Sequence, residues 1–291
     1  KVMTIVGTRP EIIKLSEVMK ELDRYVDHTI VHTGQHYDEK MSALFLDQLR
    51  IPDPEINLGV GSASHAVQTA RIMERFEKVC IDYIPDMVMV VGDVNSTIAC
   101  SLVAKKLNIP VCHYEAGLRS GDKAMPEEIN RLVTDAISDI YFTTCKNADN
   151  NLLREGIHAE KIFMVGNLMI DSLVNNLVRA ESKNVILHKI NSGSTINFID
   201  HFKPGKYAIM TFHRPSNVDD VETFTILVEQ WLKVSENIPL IFPVHPRTLQ
   251  NVKSFKLLKN LISAPDVHLV EPIGYLVFLA LMKDNLEKLQ Y

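Results

Sequence analysis

Short apolar runs alternate with stretches of helical periodicity along almost the whole chain, and no other feature restricts its fold so strongly. Val2–Val6, Thr29–His32, Met87–Val91, Val111–His113, Asp139–Phe142 and Ile162–Val165 are mainly apolar runs of strand length. Strands of this kind are buried on both faces, as in parallel sheets. Between them, Ile12–Leu22, Ala66–Cys80, Thr97–Lys106, Ile129–Ala136 and Ala148–Arg154 carry apolar residues at helical spacing. A second set follows, with strands at Tyr207–Thr211, Leu240–Val244 and His268–Val270 and helices at Val221–Val234 and Leu276–Met282. Such alternation predicts an α/β fold of open parallel sheets, with right-handed crossovers placing helices on both faces. At 291 residues, two Rossmann-like domains are expected, 1–170 and 171–291, with the active site in the cleft between them. The polar stretch Arg179–Pro204, just past the boundary, reads as a surface excursion.

Composition narrows the function. A hydrophobic content of 46% with 23% charged residues is that of an ordinary soluble protein. The net charge of −5, without a basic run, argues against nucleic acid as a partner, so an anionic ligand must be held by a local group of cations. No apolar stretch is long enough to span a bilayer and no charged-then-apolar leader opens the sequence, so the cytoplasm is the expected location. Cys80, Cys100, Cys112 and Cys145 lie in or beside apolar runs, without CxxC or zinc-finger spacing, and read as reduced core thiols. HExxH, Walker and GxGxxG patterns are missing, which argues against a catalytic metal, NTP hydrolysis and tightly held NAD.

Open α/β sheets bind ligands at the carboxyl ends of their strands, and chemistry-bearing residues cluster at those places here. After the first strand, Thr8 and Glu11 have capping-box spacing, with Pro10 in the first turn and Arg9 and Lys14 nearby. Free N–H groups and two cations there make either a phosphate cradle or a capped helix with two surface cations. Asp93, in Gly92-Asp93-Val94-Asn95-Ser96-Thr97, sits where a general base belongs, although capping is the commoner role of an Asp so placed. Glu115 follows another strand, and Glu127 lies in the first turn of a Pro-started helix with Arg131 one turn on. These groups suit proton transfer and anion binding, or else Glu127 simply pairs with Arg131 while Glu128 faces solvent. In the second half, His213-Arg214 and His245-Pro246-Arg247 each put a histidine and an arginine at a strand's carboxyl end.

Taken together, these segments resemble the non-hydrolysing UDP-N-acetylglucosamine 2-epimerase family. The strings that carry the likeness are VGTRPEIIK (6–14), HTGQHY (32–37), GDVNST (92–97), HYEAGLRSGD (113–122), MPEEINR (125–131), NLLREGI (151–157), VGNLMID (165–171), HRPSNVD (213–219) and FPVHPR (242–247). They keep the family's order over nearly the whole chain. The resemblance implies a fold like that of GT-B glycosyltransferases, no nicotinamide or metal cofactor, and a UDP-sugar substrate. It implies anti elimination of UDP to give 2-acetamidoglucal, reprotonation of C2 on the opposite face, and re-addition of UDP. Asp93, Glu115 and Glu127 match the proton-transfer carboxylates and His213 a phosphate-side donor. Arg9, Lys14, Arg131, Arg214 and Ser216 fall in the ligand-binding motifs. Gln35, His36, Gln68, Arg71 and His245 fall where some bacterial members hold a second UDP-GlcNAc as activator. A homodimer and a role in surface polysaccharide biosynthesis are further expectations of this kind.

Family members continue past a helix like Gly274–Leu279 into a strand and a DSGG-type loop that precedes residues gripping uridine and ribose. This sequence holds no DSGG, so 171–291 is expected to be an incomplete unit. Three other readings stay open: a hydrolysing epimerase that releases ManNAc and UDP, an epimerase of a diacetamido UDP-sugar, and a truncated nucleotide-sugar binding fragment. A glycosyltransferase fits the fold but not the EAGLRSGD and MPEEINR strings.

Overall fold

The chain enters the larger sheet at Val2–Val6 (β1), an interior strand, and winds outward from it first to one side and then to the other. This computed structural model describes residues 1–35, 46, 48–181, 185–190 and 194–286. Its contacts divide the chain into two units, 1–174 and 175–291.

In the first unit, β1 leads through Arg9–Tyr25 (α1) to His28–His32 (β2) and then to the short Ile56–Asn57 (β3). The chain then returns through His65–Tyr83 (α2) to Met87–Val91 (β4), on the other side of β1. Asn95–Lys106 (α3), Val111–Tyr114 (β5), Pro126–Ile137 (α4), Ile140–Thr143 (β6), Lys146–Arg154 (α5) and Ile162–Met164 (β7) complete the winding. The strand order is β3-β2-β1-β4-β5-β6-β7, and every pairing is parallel. Strand order reverses between β1 and β4, which makes their carboxyl ends a topological switch point, where such sheets bind ligands. Met3 and Ile5 of β1 and Val88 and Val90 of β4 form one buried cluster with Phe76 of α2 and Cys100 and Val103 of α3. Each such side chain contributes about 1.5–3 kcal/mol on burial. A packed core therefore fixes the strand ends from which the site projects.

The second unit carries Ala208–Ile209 (β10), Leu240–Pro243 (β11) and Val267–Val270 (β12) in a three-stranded parallel sheet. Phe224, Val228 and Trp231 of the helix Val221–Ser235 pack on Leu240 and Phe242. The expected strand at 207–211 shortens to β10. The stretch 179–204 is more than a surface excursion. It forms an antiparallel pair, Ile186–His188 (β8) with Thr195–Asn197 (β9), and buries Leu187, Ile196, Phe198 and Phe202. Phe198 and Phe202 pack against Tyr207, with ring centroids 5.2 and 5.8 Å away. The thiols also differ from expectation: Cys80, Cys100 and Cys112 are buried, whereas Cys145 is exposed. Among the described residues no helix is long and apolar enough to cross a membrane.

Candidate active site

Asp93 and Glu115 leave the sheet from neighbouring strands, since Val91 of β4 is paired with Tyr114 of β5. Both loops use left-handed backbone: φ is +64° at Gly92, +70° at Glu115 and +77° at Gly117. Glycine takes that conformation readily, but a glutamate there costs roughly 1–2 kcal/mol. Backbone bonds hold Glu115 in place, with its own N–H and that of Ala116 donating to the Phe142 carbonyl at 3.0 and 3.2 Å. Its carboxylate lies over Gly92, where a Cβ would stand 3.1 Å from Oε2. Lys14 Nζ of α1 donates to that same oxygen, in a largely buried ion pair.

Asp93 is held in a similar way from α4. Arg131 donates to its Oδ2 from Nε at 3.0 Å and from Nη2 at 2.5 Å, and Asn130 donates to its backbone carbonyl at 2.8 Å. Asp93 is therefore no helix cap; the N-cap of α3 is Val94, and no side chain caps it. Each of the two carboxylates thus has one oxygen held by a cation, while the other takes no hydrogen bond among the described residues.

Helix α4 exchanges the roles expected of its two glutamates. Glu128, not Glu127, is the buried partner of Arg131, accepting from Nη1 at 2.8 Å. It also accepts from the N–H groups of Ser120 at 2.9 Å and Gly121 at 3.0 Å. Burial alone would raise its pKa, but these backbone donors and Arg131 outweigh burial and hold it at about 2. Glu127, one position earlier, is half-buried, and its side chain makes no hydrogen bond or ion pair among the described residues.

The start of α1 carries the capping box that the Thr8–Glu11 spacing predicts. Glu11 is buried, and its Oε2 accepts from the N–H groups of Gly7 and Thr8, both at 2.7 Å, and from the Thr8 hydroxyl at 3.1 Å. Burial pushes its pKa up to about 7, against the lowering effect of those donors and Lys14. The cations Arg9 and Lys14 remain at this edge, but the N–H groups of Gly7 and Thr8 are taken.

Of the expected activator set, Gln35 and Gln68 come together. Gln68 Nε2 donates to the Gln35 carbonyl at 3.1 Å, and Gln35 Oε1 accepts from the Ser96 hydroxyl at 2.7 Å. Asn95 Nδ2 donates to Gln68 Oε1 at 2.8 Å, which ties the pair to the loop carrying Asp93. Arg71 is exposed on α2, and His36 lies outside the described residues.

His213, Arg214, Ser216 and His245 belong to the second unit, and all are exposed. Two motif loops meet there. The His213 and His245 rings lie 6.3 Å apart, Thr248 donates its hydroxyl to the Phe212 carbonyl at 2.7 Å, and Arg247 binds both oxygens of Asp219. His245 also caps the helix Pro246–Ser254, accepting from the Arg247 N–H at 3.3 Å.

Two residues here, His113 and Asp135, are given no role by the sequence. His113 and Asp135 are fully buried and pair at 2.6 Å, and Arg119 joins the same carboxylate at 2.7 Å. A stripe was visible in the sequence: Glu128, Arg131 and Asp135 fall three and four residues apart, on one face of α4.

A family model described as UDP-N-acetylglucosamine 2-epimerase matches residues 20–285. The UDP-N-acetylglucosamine 2-epimerase of Methanocaldococcus jannaschii is 44% identical over 287 residues, which cover 98% of this chain and 76% of that one. A UDP-2,3-diacetamido-2,3-dideoxy-D-glucuronate 2-epimerase of Pseudomonas aeruginosa is 38% identical over 288 residues, covering 97% of this chain and 75% of that one. Among solved structures, the Methanocaldococcus jannaschii epimerase in complex with UDP-GlcNAc and UDP superposes with a TM-score of 0.82 at 41% identity, covering 97% of this chain and 76% of that one. The Neisseria meningitidis UDP-GlcNAc 2-epimerase bound to UDP-GlcNAc gives 0.83 at 29% identity, covering 97% and 75%.

Proposed function

This chain belongs to the UDP-N-acetylglucosamine 2-epimerase family, and from that premise we propose that it inverts C2 of UDP-GlcNAc to give UDP-ManNAc without hydrolysis. The observation that carries the proposal is the pair of carboxylates, Asp93 and Glu115, each with one oxygen anchored by a cation and the other without a hydrogen bond among the described residues. A proton on C2 is not acidic, so a positioned base must take it as the bond from C1 to the phosphate oxygen breaks. Removal of that proton and departure of UDP leave 2-acetamidoglucal. A proton then returns to C2 from the opposite face, and a phosphate oxygen of UDP reforms the bond to C1. Two acid–base groups serve this sequence, and we assign them to the set Asp93, Glu115 and Glu127. Arg9, Lys14, Arg131, Arg214 and Ser216 are assigned to the substrate and His213 to the leaving phosphate, whose charge grows as the bond breaks.

The test is incubation of the chain with UDP-GlcNAc in deuterated water, followed by proton NMR at C2. Deuterium at C2 together with UDP-ManNAc supports the reading. Deuterated free ManNAc with UDP would replace it by the hydrolysing reaction. The likeness to the Pseudomonas aeruginosa enzyme favours one second substrate, a diacetamido UDP-sugar acid, to be run beside UDP-GlcNAc.

A further inference from the structure

We propose that the buried His113–Asp135 pair is a positioning device that holds the Asp93 and Glu115 loops in register, a role that rests on the carboxylate chemistry proposed above. His113 stands on β5 and Asp135 on α4, with side chains 0% and 1% exposed. Nε2 of His113 faces a carbonyl, that of Gly92, at 2.8 Å, so it is the donor there. Gly92 immediately precedes Asp93. Nδ1 meets Asp135 Oδ1 at 2.6 Å. The other oxygen of Asp135 accepts from the Gly117 N–H at 3.0 Å and from Arg119 Nη1 at 2.7 Å. Gly117 lies two residues past Glu115. One side-chain pair therefore fastens the backbone just before one candidate carboxylate and just after the other.

Stability alone does not account for the pair. A buried charged group is costly to desolvate, and well-packed apolar residues of similar volume often serve a core as well. Both loops, however, turn through left-handed backbone at Gly92, Glu115 and Gly117, and for Glu115 that conformation persists only where surrounding structure determines it. The pair supplies that determination, and Arg119 extends it to Glu155 on the surface through Nε at 2.8 Å and Nη2 at 2.6 Å.

The experiment compares His113→Phe, His113→Gln and Asp135→Asn with the unsubstituted chain, by deuterium exchange at C2 of UDP-GlcNAc and by amide hydrogen exchange. His113→Phe removes both bonds; the amide of His113→Gln restores a donor toward Gly92. We expect kcat to fall about 100-fold in His113→Phe, with KM within about threefold, and His113→Gln to recover a large part of that loss. Where His113→Phe does not fold, Asp135→Asn, which is isosteric, carries the same comparison. A kcat loss no larger than the loss of folded protein, or a His113→Gln variant no better than His113→Phe, overturns the proposal. Amide exchange must rise in 92–95 and 115–121 ahead of the rest of the sheet in a folded variant; unchanged protection there also overturns it. If the unsubstituted chain exchanges no proton at C2, the proposed activity fails, and amide exchange still decides the positioning role.

Discussion

Both hydrogen bonds from Arg131 to Asp93 end on one oxygen, Oδ2, at 3.0 Å from Nε and 2.5 Å from Nη2. The same guanidinium reaches Glu128 through Nη1 at 2.8 Å, so one planar fork fixes a candidate catalytic carboxylate and the carboxylate that holds the 120–121 backbone. A lysine is a point charge on a flexible stem and cannot span both. Arg131→Lys is expected to lower C2 proton exchange about 100-fold while leaving a folded protein. NMR exchange rates and circular dichroism check this. A rate within about threefold of the unsubstituted chain would separate the fork from the chemistry.

Gly92 offers a second test of the same geometry. A Cβ there would meet Glu115 Oε2 at 3.1 Å and Lys14 Nζ at 3.7 Å, on backbone with φ of +64°. Gly92→Ala should lose about 1–2 kcal/mol of stability through backbone strain. It should also lose more C2 exchange than the folded fraction explains, because the added methyl crowds the Lys14–Glu115 pair. Urea unfolding and exchange rates, measured on the same preparation, separate the two effects.

The strands β1, β4, β5 and β11 are legible because each is a run of four or five largely apolar residues. β3 has two residues and β8 and β9 three each, too few for any period to stand out. Neighbouring helix positions differ by about 100° in direction, so which of Glu127 and Glu128 turns inward depends on how α4 packs, not on the motif. The Thr8–Glu11 spacing predicts a capped helix, and Glu11 forms it by accepting from the Gly7 and Thr8 N–H groups, a local contact that a four-residue motif can encode. His113 and Asp135 are 22 residues apart on different elements. Only the alignment of β5 with α4 makes them partners, and no local pattern encodes it.

In the second unit, Arg247 grips Asp219 through Nε at 3.0 Å and through Nη2, and Asn251 donates to the Val218 carbonyl at 2.8 Å. These bonds join the loop that carries His213 to the helix capped by His245. The pair is half exposed, so its removal should cost no more than about 1 kcal/mol. Arg247→Ala is therefore expected to raise KM for the UDP-sugar several-fold with little change in melting temperature. Steady-state kinetics and thermal unfolding measure the two. A fall in kcat at constant KM would mean that the loops act on the chemical step and not on binding.

Glu11 makes stability depend on pH in the direction opposite to most carboxylates. Burial raises its pKa to about 7, whereas an unfolded glutamate titrates at about 4.3. Between those values the folded chain keeps a proton that the unfolded chain has released, so rising pH favours unfolding across that window. The difference amounts to roughly 4 kcal/mol, present below the window and lost above it. Glu11→Gln retains an oxygen to accept the Gly7 and Thr8 N–H groups but has no proton to lose. Urea unfolding of both proteins from about pH 4.5 to 8 should show the variant gaining stability relative to the unsubstituted chain as pH rises, and holding that gain beyond the window. A constant difference would mean that Glu11 does not titrate in this range. A difference of the opposite sign would mean that its donors and Lys14 outweigh burial and keep the carboxylate ionised.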